Sequence, residues 1–89
     1  MITRTILSDK ARQRRPVTIT LNGTVFRELR LSLGWSQAEM ARRIGKAKPY
    51  VGHLECERLI PSLTAAEMMR KAIGDALHNS GALTVEWHE

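Results

Sequence analysis

The sequence predicts a mainly α domain of four to five helices, with a short β-strand near each end. Three observations predict it. Apolar residues recur at three- and four-residue spacing in several separate segments. Those segments are punctuated by helix caps and stop glycines. Two outer segments alternate apolar and polar residues instead, the two-residue period of a strand. The chain has 89 residues, enough for one small domain and too few for two.

The middle of the chain carries the clearest pattern. Ser36 is a natural N-cap, and Glu39 three residues later completes a capping box, with Trp35 and Met40 spaced as a hydrophobic staple. A helix is expected from Gln37 to about Ile44, with Met40, Ala41 and Ile44 on one face. Arg42 and Arg43 lie in its last turn, where cations suit the helix dipole, and Gly45 supplies the left-handed stop. Pro49 restarts a helix from its first turn. Val51 and Leu54 point inward, leaving Lys48, Tyr50, Gly52 and His53 outward. This is a helix-turn-helix.

The flanks follow in order. Met1 to Leu7 alternates weakly and is open as a short strand. Ser8 to Pro16 has almost no apolar residue, so residues 1–16 read as a basic, flexible arm ahead of a single domain at 17–89, whose helical core spans 25–78. Val17 to Leu21 alternates cleanly as a strand. Asn22-Gly23 reads as a turn, and Thr24 as the cap of a first helix, Val25 to Leu33, with Phe26, Leu29 and Leu33 inward. Pro61-Ser62 opens a fourth helix with Leu63, Ala66, Met69 and Ile73 on one face, extended to His78 with a break or kink at Gly74. Leu83, Val85 and Trp87 point inward from a final strand. An unpaired strand would leave backbone groups unsatisfied. Val17–Leu21 and Leu83–Trp87 are therefore expected to pair, within one subunit or across two.

Residues 26–73 resemble the Cro/repressor-type (XRE) helix-turn-helix family. The matching residues are Phe26, Leu29, Arg30, Gly34, Ser36-Gln37, Ala41, Gly45, Val51, Leu54-Glu55 and Pro61-Ser62-Leu63. Ala47 departs from the usual serine or threonine cap, Cys56 from asparagine and Glu57 from glycine. The resemblance implies a lambda-repressor-like domain that binds double-stranded DNA. It carries base contacts to Lys48, Pro49, Tyr50 and His53, and phosphate contacts to Ser36, Gln37, Arg43, Lys46 and Arg58. It also makes Arg30 and Glu55 a structural ion pair joining the first helix to the third. Tyr50 packed as core and His53 as a solvated surface residue are the plainer alternatives. A dimer interface at Leu83, Val85 and Trp87 is expected, as a C-terminal strand forms in some Cro-like proteins.

Charge agrees with that reading. The net charge is +5, and residues 1–16 hold Arg4, Lys10, Arg12, Arg14 and Arg15 against Asp9 alone. From Arg42 to Arg58, five basic residues face Glu55 and Glu57. Positive charge beside a recognition helix suits a polyanion, and Arg12, Arg14 and Arg15 are candidate arm contacts to phosphate or the minor groove. No Gly-rich phosphate loop or catalytic spacing is present, so no enzyme is expected. His53, His78 and His88 lack ligand spacing, so neither a metal nor a cofactor is expected. Cys56 is the single cysteine and cannot form an intramolecular disulfide. Arg4 interrupts the only candidate leader and no run is long enough to span a bilayer. A cytoplasmic, nucleoid-associated protein without a membrane partner is expected. The function implied is a dimeric repressor on an inverted-repeat operator. Alternatives are an antitoxin that binds a toxin partner and represses its own operon, or a restriction–modification controller.

Overall fold

A computed structural model describes residues 1–8 and 15–88. The elements run β1 (Ile2–Ser8), β2 (Arg15–Leu21), α1 (Gly23–Ser32), α2 (Gln37–Ile44), α3 (Lys48–Glu55), α4 (Leu63–Ile73), α5 (Ala76–Asn79) and β3 (Leu83–Trp87). The result is a lambda-repressor-like helical body on one face of a three-stranded antiparallel sheet, ordered β1-β2-β3.

The sheet closes within one chain. Val17 faces Trp87, Ile19 faces Val85 and Leu21 faces Leu83, and residues directly opposite each other share a face. Val17, Ile19, Leu21 and Leu83 are thus buried together with Phe26, Met40, Ile44, Val51, Leu54 and Met69 from the helices. The outer face is polar, with Thr3 and Thr20 hydroxyls 3.3 Å apart, and Thr5 and Thr18 hydroxyls 2.9 Å apart.

The arm expected over residues 1–16 needs correction at its start. Residues 2–8 are strand β1, paired with β2 in the register Ile2↔Leu21 through Ser8↔Arg15. Ile2 and Ile6 pack against the core, but Arg4, between them on the same face, is exposed. One charge at an inward position breaks the apolar alternation on which strand recognition depends. Residues 9–14, with Arg12 and Arg14, lie outside the described residues.

Two helix boundaries also differ. Asn22, not Thr24, caps α1, its Oδ1 accepting from the Val25 N–H at 3.2 Å. Asn22-Gly23 is therefore a cap and first helical residue rather than a free turn, and α1 ends with Leu33 as its cap. The long fourth helix breaks at Gly74, whose φ of 87° lies in the left-handed half of backbone space. A separate turn, α5, then places Leu77 in the core. No helix among the described residues is long and apolar enough to cross a membrane.

Candidate nucleic-acid interface

The α2–turn–α3 unit forms as its local chemistry dictates. Ser36 Oγ accepts from the Glu39 N–H at 3.0 Å, and Gly45 stops α2 at φ 73°. The capping box is half made. The Glu39 carboxylate turns away from the cap and accepts from Arg42 (2.6 and 3.0 Å) and Arg43 (2.8 Å). Hydrogen bonds from Arg42 and then Arg43 hold the Glu39 carboxyl below its ordinary range, and the same bond raises the Arg42 guanidinium. Arg43 also lies over the Trp35 ring, 4.3 Å from its centroid.

Helix α3 starts without a side-chain cap, because Ala47 offers no acceptor, and Pro49 sits in its first turn. Val51 and Leu54 are fully buried and orient the helix. Lys48 and Pro49 are then exposed, while Gly52 and His53 are half-buried on the outward side. Tyr50 is intermediate: it packs partly against the core, and the Lys46 ammonium sits 5.2 Å from its ring centroid. Burial raises the Tyr50 hydroxyl above its ordinary value. Its ring is therefore committed on one side, and only its remaining face is open to DNA.

Behind α3 lies a polar network in an otherwise apolar region. Arg30 Nε donates to Glu55 Oε2 at 2.6 Å, and another guanidinium nitrogen reaches Glu55 Oε1 at 3.3 Å. A third arginine nitrogen donates to the Trp35 carbonyl at 2.8 Å. Both charged side chains are under 10% exposed, at 9% and 6%, so the pair is shielded from water and screened little by salt. Gln37 Nε2 donates to Glu55 Oε1 at 3.2 Å. Its side-chain amide therefore joins the ion-pair network with one of its two N–H donors.

Other expected site residues are dispersed. Lys46 and Arg58 are exposed beside α3, and Ser36 is exposed at the α2 cap. Arg15 is not on a free arm: it belongs to β2, and its guanidinium lies over the Trp87 ring, 5.9 Å from the centroid. Leu83 is 3% exposed in the core of its own chain, so its side chain cannot serve a dimer contact. Val85 is half-buried, and Trp87 remains 42% exposed.

Glu57, whose sequence neighbour Arg58 suggests a structural pairing, instead joins the end of α3 to the start of α1. It adopts φ 58°, the one positive value at a non-glycine among the described residues. Its Oε2 accepts from the Gly23 N–H at 2.8 Å, and its Oε1 lies 2.8 Å from the Met1 amino group. Those bonds, first from the amino group and then from Gly23, hold the Glu57 carboxyl below its ordinary range. The available signal was its departure from the glycine usual at this position.

Two packed helices meeting at a left-handed glycine, the second buried by Val51 and Leu54 and open along Lys48 to His53, define a DNA-binding helix-turn-helix. Residues 26–74 match the model of the family described as Helix-turn-helix, which is more than half of the chain. The chain belongs to this family, in its Cro/repressor (XRE) branch, and is a DNA-binding transcription regulator. No curated protein and no solved structure matched it.

Proposed function

We propose that the protein is a dimeric, sequence-specific repressor that places α3 in the major groove of a short inverted repeat. The observation that carries this reading is the outward face of α3, with Lys48 and Pro49 exposed and Tyr50, Gly52 and His53 half-buried, on a helix locked from behind by Arg30 and Glu55. Lys48 suits guanine O6 or N7, and Pro49 with the open side of Tyr50 suits a thymine methyl. His53 can donate or accept. Arg43, Lys46, Arg58 and the start of α2 contact phosphates and set the register without reading sequence. Half-sites would be about 34 Å apart, one helical turn.

Dimerisation is assigned to the free edge of β3. That strand pairs with β2 on one side only. Along it runs a groove of about 300 Å³ lined by Leu63, Ala66, Leu77, Val85 and Trp87 among others. An exposed edge beside partly apolar surface can take a strand from another chain. β1, the opposite edge, carries the exposed inward charge of Arg4, which opposes such pairing. Truncating residues 82–89 is a poor test, because Ala82 and Leu83 are core residues. Trp87→Glu is better: sedimentation should show a monomer that still folds, with weakened affinity for a two-half-site duplex. A persisting dimer would move the interface elsewhere, α4 included.

Arg12 and Arg14, outside the described residues, are kept as phosphate contacts on the basic character of residues 1–16. Replacing both with alanine should reduce the slope of log affinity against log salt by about 1.8, at roughly 0.9 per phosphate contact. An unchanged slope would remove them from the interface.

A further inference from the structure

Helix α3 is anchored unequally at its two ends. At its start, Ala47 makes no side-chain hydrogen bond to the first turn, so that end lacks the acceptor that ordinarily holds it. At its other end the helix is pressed onto the beginning of α1. A Cβ built on Gly23 would fall 2.5 Å from the Glu55 carbonyl oxygen, 2.9 Å from that of Leu54 and 2.8 Å from Glu57 Cγ. The electropositive N-terminus of α1 thus abuts the last carbonyls of α3, an attractive dipole arrangement. The Glu57 carboxylate spans the junction, 2.8 Å from the Gly23 N–H, from a backbone conformation that side chains rarely adopt. Glu57 thus bears a left-handed φ just past the end of α3, where glycine would be relaxed, and its side chain makes a bond to Gly23 that glycine could not.

We propose that Glu57 is a positioning residue for the DNA-reading helix: it fixes α3 from its C-terminal end, where the N-terminal end has no side-chain cap to hold it. The proposal rests on α3 being the helix that reads base pairs, and it concerns how that helix is aimed rather than what it touches. Alanine at position 57 carries much the same left-handed backbone cost as glutamate, so Glu57→Ala isolates the carboxylate. A glycine there would confound the test by relaxing the backbone.

The test combines amide hydrogen exchange across α3 in the free protein with a DNA measurement. The latter is the ratio of affinities for a duplex selected from a random pool and for a scrambled duplex. In Glu57→Ala, α3 amides should exchange about fivefold faster, and the ratio should fall about fivefold, with no change in salt slope. Glu57→Gln, whose side-chain carbonyl can still accept from Gly23, should retain most of both. Adding Ala47→Ser to Glu57→Ala should restore protection and discrimination together by holding the other end. Unchanged α3 exchange in Glu57→Ala, or no recovery with Ala47→Ser, would overturn the proposal. Faster exchange with an intact ratio would also overturn it, because the contact would then steady the helix without aiming it; base reading itself is tested separately by replacing Lys48 and His53. Should Glu57→Ala fail to fold, Glu57→Gln and Ala47→Ser alone decide: the first must stay near wild type and the second must slow exchange in α3, or the proposal fails.

Discussion

Arg30→Ala should cost the domain about 3–5 kcal/mol, because removing one member of a buried pair leaves the other charge uncompensated. The stranded group is Glu55, 6% exposed, which would keep only the Gln37 amide as a side-chain donor. The Trp35 carbonyl would also lose its 2.8 Å partner. Small domains hold roughly 5–15 kcal/mol in total, so this single change would consume a large share. At this chain length each kcal/mol shifts the melting temperature by about 4–8 °C. The loss should extend to DNA binding, since Glu55 is the last residue of α3, the helix proposed to read DNA. Arg30→Lys should not rescue it, because an ammonium cannot present a planar fork to Glu55 and also reach the Trp35 carbonyl. A wild-type melting temperature in Arg30→Ala would rule out the structural role.

Gly23→Ala should be the other severe substitution. The methyl group would enter within 3 Å of two backbone carbonyl oxygens at the end of α3. Backbone atoms cannot swing aside as a flexible side chain does. Overpacking of this kind typically costs about 1–3 kcal/mol, and here it should exceed the small gain in helix propensity from glycine to alanine. Gly52 is the internal control: it lies within α3 with nothing within 4 Å of an added Cβ, and Gly52→Ala should stabilise the helix by up to about 1 kcal/mol. Thermal melts of the two variants should move in opposite directions. If Gly23→Ala melts with the parent, α1 and α3 are not pressed together as described.

These contrasts show which parts of the molecule were legible in the sequence. The α2–turn–α3 unit was, because Ser36, Gly45, Pro49 and the apolar spacing act within one or two turns. The strands β2 and β3 were as well, each alternating over five residues, although local pattern alone left open whether they paired within one chain. β1 was obscured by Arg4, which interrupts the inward face at the midpoint of the strand. Asn22 was obscured because asparagine before glycine signals a turn as well as a cap. The Arg30–Glu55 geometry was anticipated by resemblance, not by spacing. The bond from Glu57 to Gly23 joins residues 34 positions apart, and nothing local encodes it. Arg15 illustrates the reverse error. Basic composition suggested a free arm, yet strand register brings that side chain onto Trp87.

The central claim is that the outward face of α3 reads base pairs, and a Lys48→Ala/His53→Ala double variant tests it most directly. Both positions lie away from the core, so folding should be preserved. Binding should be measured, at one stated salt concentration, to a duplex selected by the parent protein and to its scrambled counterpart. Each base contact contributes about 1–3 kcal/mol of discrimination, so the preference should fall at least tenfold while binding to the scrambled duplex weakens only modestly through the loss of one positive charge. A folded double variant that prefers the selected duplex as strongly as the parent would contradict this account.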